Sequence, residues 1–134
     1  MPIPGDEEEE DADLDALIVG GGPAGLTAAI YLARFKRRFL LVDAGDPRAA
    51  WIPESHNIPF FGEGIPGPEI LAFGRAAAER HGARVLSGTV AALRERPAGA
   101  GFEADLEPEG GGGLRRRLRA RRVLLATGAV DVEP

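Results

Sequence analysis

The sequence predicts an α/β protein with a parallel sheet and a small antiparallel β-meander. Two observations lead to this fold class. Residues 16–19 and 39–42 are apolar runs of strand length, and the residues between them have their apolar positions at helical spacing, as in a βαβ unit. Residues 84–118 contain short β-rich segments separated by glycine-rich turns, which is typical of a meander. The 134 residues suffice for one domain.

Three glycines lie between the first predicted strand and the first predicted helix. Gly20, Gly22 and Gly25 have the G-x-G-x-x-G spacing. In this motif the first glycine allows a sharp turn, the second lets a pyrophosphate approach the backbone, and the third lets helix and strand pack closely. Pro23 suits the first helical turn, because its missing N–H needs no partner there. The segment therefore predicts an adenine-dinucleotide site, the alternative being a tight turn without a ligand.

The predicted helix of the βαβ unit has one apolar face toward the sheet. Leu26, Ala29, Ile30 and Ala33 form this face. Asp43 ends the second predicted strand, where a carboxylate accepts hydrogen bonds from an adenosine ribose. It favours a free 2′-hydroxyl over a 2′-phosphate, because two negative charges repel each other. These residues leave both NAD and FAD open as the dinucleotide.

A loop and a second helix follow. Trp51, Phe60 and Phe61 are apolar enough to be buried or to cover a ligand. The helix is predicted over residues 69–81, with Gly82 at its C-terminal cap. Its predicted inward-facing residues are Ile70, Leu71, Phe73 and Ala77.

The predicted strands of the second half are short. Residues 84–93 are β-rich, residues 102–106 and 114–118 form a hairpin, and residues 123–126 form a last buried strand. Six arginines lie between Arg115 and Arg122. An exposed strand produces this pattern, and no aromatic side chains interleave for base stacking, so we expect no nucleic-acid partner.

Composition narrows the class of protein. The chain has no cysteine, which excludes a dithiol of its own, and its two histidines do not form a metal site. Residues 1–13 are expected to be a disordered acidic tail preceding one domain over residues 14–134. No apolar run is long enough to span a membrane and no signal peptide is visible, so a cytoplasmic location is expected.

The sequence resembles the thioredoxin reductase-like branch of the flavoproteins with two dinucleotide-binding domains. Three blocks carry the resemblance: the glycine turn with Asp43, residues 55–71, and residues 124–134. The second block, SHNIPFFGEGIPGPEIL, is similar to the family's S-H-N-x-P-G-F-x-x-G-I-x-G-x-E-L-L segment. It discriminates best, because generic NAD-binding domains lack it.

The resemblance implies a Rossmann-like FAD/NAD(P)-binding three-layer fold, incomplete in this chain, with FAD as its cofactor. Asp43 would bind the adenosine ribose, and the main chain of Val90 would lie against adenine. Arg48 and Asn57 match positions near the flavin. The pyrophosphate cradle would comprise Gly20, Gly22, Pro23, Ala24 and Gly25. The chain would pass close to the cofactor at Ala126, Thr127 and Gly128.

The chain also departs from the family pattern. Phe60 stands where the family has a glycine, which would crowd the loop or shift its turn. Lys36 stands where the fingerprint often has a glycine, so an altered helix-to-strand turn is expected. The nicotinamide-binding domain, the segment that completes the FAD domain and the redox cysteines are not found in the 134 residues.

The resemblance implies the flavin-binding portion of an FAD-dependent oxidoreductase, in which an intact enzyme passes hydride from NAD(P)H to FAD. The alternatives are a non-catalytic FAD- or NAD-binding module, or a fragment without activity of its own. No catalytic residue is nominated: His56 is the nearest candidate, beside the flavin region by resemblance, but is interpreted as structural or solvated. His81 lies in the last turn of a predicted helix, where the helix dipole favours a cation. An unpaired sheet edge would favour a homo-oligomer or a completing partner chain. The electron acceptor and the choice of NADH or NADPH stay open.

Overall fold

The computed structural model describes residues 13–45, 48–109 and 116–128. The predicted acidic tail thus lies outside the described residues except for Asp13, as does the hairpin tip. The described elements are β1 (Leu14–Val19), α1 (Pro23–Arg34), β2 (Phe39–Asp43), α2 (Gly67–Arg80), β3 (Val85–Glu95), β4 (Phe102–Pro108) and β5 (Arg116–Leu125), with short 3-10 turns at Arg48–Trp51 and Pro97–Gly99.

Four strands form a parallel sheet in the order β3-β2-β1-β5. β1 pairs with β2 and with β5, and β2 pairs with β3. β4 runs antiparallel to both β3 and β5, beyond the points where these strands leave the parallel sheet. Each described strand therefore has two neighbours, and the five close on themselves. The expected unpaired edge is wrong for this part of the chain, because β4 joins the two outer strands.

β5 is one strand where the sequence predicts two. The described part of the first predicted segment, 116–118, and residues 123–125 of the second lie on a single strand, Arg116–Leu125. The arginines between them interrupt the apolar pattern, yet their backbone continues the ladder. Residues 116–120 pair with β4 and residues 120–125 pair with β1, so the strand passes from the meander into the parallel sheet.

The parallel sheet is buried on both faces. On one face Ile18 and Leu41 pack against Leu26 and Ala29 of α1 and Ala78 of α2. On the other face the strands pack against the meander, and the buried residues there include Leu17, Val42, Ala104, Leu106 and Leu118. Helices, sheet and meander thus form the three layers that the sequence predicts.

α2 packs through residues that match the predicted inward-facing set only in part. Phe73 is 58% exposed, whereas Ala78 is fully buried and Leu71 packs against the core. Gly74 lies close to α1, because a Cβ placed on it would be 3.1 Å from Leu26 Cδ1. Small residues therefore set the rotation of this helix; the prediction is confirmed for Leu71 and wrong for Phe73, because it favoured a bulky apolar side chain there.

Ion pairs cover the outer face of the meander. Arg94 Nη2 lies 2.6 Å from Glu103 Oε1 and 3.0 Å from Asp105 Oδ1, and Arg117 Nε lies 3.2 Å from the same Asp105 oxygen. The hydrogen bond from Arg94 lowers the pKa of Asp105 to about 2. Arg119 Nε lies 3.5 Å from Asp13 Oδ1. Pairing with acids on the meander and at the start of β1 thus accounts for two arginines of β5.

Both helices end in the same hydrogen-bonded turn with a left-handed residue. After α1, the Lys36 N–H donates to Ala33 O (3.0 Å) and Lys36 has φ +55°. After α2, the Gly82 N–H donates to Glu79 O (2.9 Å) and Gly82 has φ +90°. Lys36 therefore closes a regular helix cap in a conformation that glycine adopts more easily.

The two caps give a matched stability prediction. Lys36→Gly relieves the left-handed strain of a residue with a Cβ, and we expect it to stabilise the chain by about 0.5–1 kcal/mol. Gly82→Lys imposes that strain and is expected to destabilise it by about 1 kcal/mol. Urea denaturation of both variants measures these changes. A Lys36→Gly variant less stable than the wild type contradicts the prediction.

Candidate functional site: a cleft at the carboxyl ends of the parallel strands

A cleft of about 510 Å³ opens where the parallel strands end. The loops after β1, β2 and β5 line it, together with residues 88–90 of β3. Carboxyl ends of parallel strands are the usual place for ligands in open α/β sheets, because the loops there diverge. The order of the strands places β2 and β3 at one end of the cleft and β5 at the other.

Two of the motif glycines are required by the fold itself. Gly20 has φ +118°, and a Cβ on it would overlap the carbonyl of Ala126. A Cβ on Gly25 would overlap the carbonyl of Gly20, so α1 could not pack against the end of β1. The Gly20 N–H donates to Val42 O at 2.9 Å. These contacts bring the ends of β1, β2 and β5 together at the floor of the cleft.

Gly22 is different, because its conformation does not require glycine. It has φ −78° and ψ −174°, which most residues adopt, and it lines the cleft. It is also the N-cap of α1 and provides no side-chain hydrogen bond to the helix. The start of α1 therefore presents bare backbone and the positive end of the helix dipole to the cleft. This arrangement fits an anionic ligand such as a pyrophosphate.

Asp43 is held in place at the β2 end of the cleft. Its Oδ1 accepts a hydrogen bond from the Gly45 N–H at 2.9 Å, and its Oδ2 lies 3.9 Å from Arg75 Nη1. A Cβ on Gly21 would lie 2.6 Å from Oδ2, so the carboxylate occupies space that a side chain at position 21 would fill. Its side chain is 18% exposed. A fixed carboxylate beside the glycine turn is suited to accept ribose hydroxyl hydrogen bonds.

The structure brings most of the predicted site residues to this cleft. Those that line it are Gly20, Gly22, Pro23, Ala24, Asp43, Val90, Ala126, Thr127 and Gly128. Gly25 lies behind it, in the contact between α1 and β1. Asn57 does not line the cleft, and its Oδ1 accepts a hydrogen bond from Ser55 Oγ at 2.7 Å. Arg48 begins a 3-10 turn, and its side chain lies outside the described residues.

The aromatic residues of the loop before α2 are not buried. Trp51 is 77% exposed and Phe60 is 102% exposed. Phe60 also has φ +73°, so a residue with a side chain adopts a conformation that favours glycine, the residue that the resemblance predicts here. Phe61 contacts Phe73 of α2, with ring centroids 5.8 Å apart. Of the two predicted roles, burial is therefore wrong for Trp51 and Phe60, and covering a ligand stays a prediction.

Several lining residues were missed by sequence reasoning. Gly21 gives space to Asp43, Gly45 donates to it, and Gly88 and Thr89 form the β3 wall. Gly21 stands inside the glycine run, but its role depends on the position of Asp43, which lies on another strand. Thr89 had no signal, because its place in the cleft follows from the register between β2 and β3.

The part of the chain that the structure describes has neither a metal-binding cluster nor a membrane-spanning helix. No group of three His, Cys, Asp or Glu residues there is placed to hold a metal ion. His56 is well exposed, with Nε2 3.9 Å from Glu54 Oε1. None of the described helices is long and apolar enough to cross a membrane. The glycine-lined cleft is therefore the candidate site.

Comparison with known proteins agrees with this geometry. The family model described as pyridine nucleotide-disulphide oxidoreductase matches residues 14–134. A thioredoxin reductase of Neurospora crassa is 32% identical over 120 residues, which are 84% of this chain and 34% of that protein.

Solved structures give the same result. An oxidoreductase from Agrobacterium tumefaciens superposes with a TM-score of 0.76 and 33% identity, over 91% of this chain and 39% of that one. A thioredoxin reductase from Gloeobacter violaceus superposes with a TM-score of 0.76 and 27% identity, over 93% and 40%. The chain thus spans 34–40% of the length of these relatives. With its fold and almost all of its described length matched, the chain belongs to the pyridine nucleotide-disulphide oxidoreductase family.

Proposed function

We propose that this chain is the FAD-binding portion of a flavin-dependent, NAD(P)H-linked oxidoreductase of the thioredoxin reductase-like type. The observation that carries the proposal is the pairing of two features in one cleft. Gly22 leaves the positive end of α1 bare, and Asp43 is fixed beside it at the end of β2. A pyrophosphate and an adjoining ribose need these two features next to each other.

Different residues of the cleft would bind different parts of FAD. The backbone of Gly20, Gly22 and Ala24 would hold the pyrophosphate, and Asp43 would accept hydrogen bonds from the adenosine ribose. At the far end, Ala126, Thr127 and Gly128 follow β5 and would adjoin the flavin half. FAD, when bound, supplies the capacity to accept hydride from a nicotinamide. The chain would bind and orient the FAD. The negative charge of Asp43 would also disfavour a nucleotide that carries a 2′-phosphate.

FAD is favoured over NAD by the segment that precedes α2. Residues 55–71 are similar to the flavoprotein segment, and their backbone forms an antiparallel bridge between Ser55 and Ile65 that leads into α2. Electron transfer to an acceptor, a cytoplasmic location and a homo-oligomer or completing partner chain are parts of the same proposal.

A second candidate is a non-catalytic dinucleotide-binding module. The observation that favours it is the lining of the cleft, whose described residues include no histidine, cysteine or lysine. An NAD(P)H-linked reductase needs a nicotinamide site as well as a flavin site, whereas a binding module needs the flavin site alone.

Titration of the purified chain with FAD separates these candidates. We expect micromolar uptake with shifted flavin absorbance bands, followed by bleaching of those bands on addition of NADH or NADPH if a nicotinamide site is present. Uptake without bleaching supports the binding module. A folded chain that takes up no FAD contradicts the FAD-binding proposal.

Asp43→Ala tests the ribose contact. A hydrogen bond to a charged group contributes about 1.5–3 kcal/mol, so we expect FAD to bind at least about tenfold more weakly. Glu54→Ala is a matched control, because Glu54 is an exposed carboxylate that does not line the cleft. Isothermal titration calorimetry measures both. Equal FAD affinity of Asp43→Ala and wild type shows that Asp43 does not bind the ribose.

A further inference from the structure

The cleft contains few polar side chains that distinguish one ligand from another. Among its described lining residues only Asp43, Thr89 and Thr127 have polar side chains; the others are glycine, alanine, valine, leucine and proline. Asp43 is the proposed ribose ligand. Thr127 follows β5, which is separated from β3 by β1 and β2 along the parallel sheet. Thr89 is therefore the remaining polar group at the β2 and β3 end.

The strand register places Thr89 relative to Asp43. Leu41 pairs with Val85, and both pack on the helix side of the sheet. Asp43 pairs with Ser87, two residues further along each strand, so these two side chains point to the same side. Thr89 is the next residue of that series on β3, about 6–7 Å beyond the level of Asp43.

The β3 backbone around Thr89 is tightly fixed. Gly88 is buried, and a Cβ on it would lie 2.8 Å from Glu107 O of β4. On the other side Val90 pairs with Leu106, and a register shift between Val90 and Ala92 follows immediately. Such bulges often orient side chains beside binding sites. The Thr89 side chain is exposed on the cleft wall between these two fixed neighbours.

This spacing matches the dimensions of a nucleoside. In adenosine the base is attached next to the 2′-hydroxyl and extends several ångströms away from it. A carboxylate that holds the ribose therefore needs a second polar group a few ångströms further along to contact the base. A threonine hydroxyl both donates and accepts, so it can pair with a ring nitrogen or with the amino group of adenine.

We infer that the Thr89 hydroxyl contacts the base of a bound adenine nucleotide and helps to select that base. The inference rests on the proposed function, since it requires the adenosine half of a dinucleotide to lie at the β2 and β3 end. It adds a side-chain contact to the main-chain contact at Val90 that the resemblance implies. Asp43 and Thr89 would then recognise the ribose and the base separately.

Thr89→Val removes the hydroxyl and keeps the shape of the side chain. With ADP and FAD as probes, we expect calorimetry to show binding about three- to tenfold weaker than wild type, the effect of losing one neutral hydrogen bond. Thr89→Ser keeps the hydroxyl and is expected to bind within twofold of wild type. Ser87→Ala is the matched control, because Ser87 is exposed on the same side of the same strand and does not line the cleft.

The outcomes are distinct. If wild type binds ADP and Thr89→Val binds it equally tightly, Thr89 does not contact the base, and the proposed function stands. If Thr89→Ser is as weak as Thr89→Val, the loss comes from packing and the inference is overturned. If the folded wild type binds neither ADP nor FAD, the proposed function fails and the role of Thr89 fails with it. Melting temperatures of the variants establish that each is folded.

Discussion

Gly22→Val is expected to leave the chain folded and to weaken FAD binding by at least about 100-fold. Gly22 has φ −78°, so valine enters without backbone strain, and the cost at the N-cap of α1 is about 1 kcal/mol or less. In the cleft, however, the valine methyl groups would fill the space where a pyrophosphate approaches the backbone. The ligand would lose hydrogen bonds from the helix N-terminus, each worth about 1.5–3 kcal/mol when made to a charged group.

The measurement is FAD affinity by calorimetry together with a thermal melt. Gly62→Val is the matched control, because Gly62 is exposed outside the cleft and a Cβ on it would have no neighbour within 4 Å. Wild-type affinity in Gly22→Val would show that the glycine turn serves the fold alone, which is the alternative that the sequence left open.

Gly25→Ala, unlike Gly22→Val, is expected to destabilise the fold. Its Cβ would overlap the carbonyl of Gly20, so α1 would have to move away from β1. Overpacking of this kind costs about 1–3 kcal/mol, and the displaced turn adds to it, so we expect a loss of about 2–4 kcal/mol in the free energy of unfolding.

Gly74→Ala is the control for that loss. It also adds a Cβ at a contact of α1, but its nearest neighbour is a side-chain methyl group, Leu26 Cδ1, at 3.1 Å, and not a backbone carbonyl. Alanine also has the higher helix propensity, so urea denaturation should give a change within about 1 kcal/mol. If Gly25→Ala is as stable as Gly74→Ala, the close packing inferred at the glycine turn is wrong.

Local patterns predicted the βαβ unit and the glycine-turn side of the cleft, whereas Val90 and residues 126–128 were predicted from the family resemblance. The apolar period of α1, the glycine turn, the cap at Gly82 and the acid at the end of β2 each depend on residues close together in sequence. The three-layer fold, which the resemblance implied, is confirmed.

Features that depend on contacts between distant parts of the chain were not predicted from the sequence. The continuity of β5 is set by its pairing with β1 and β4, and the rotation of α2 by Gly74 against Leu26. The space for Asp43 depends on Gly21, which lies in the loop after a neighbouring strand. No pattern along the chain contains these contacts, because each joins residues from separate elements.

The pairing of β1 with β5 has a consequence for the order in which the molecule is built. β1 leaves the ribosome well before one of its two neighbours, because residues 120–125 are made roughly a hundred residues later. Until then the nascent chain exposes the edge of an apolar strand that β5 will later cover. The turn at Gly20 likewise lacks the Ala126 carbonyl against which it fits. Contacts of such long sequence separation form slowly. We therefore expect the cleft to be completed last, so that the capacity to bind a ligand arises only when synthesis of this region is nearly finished.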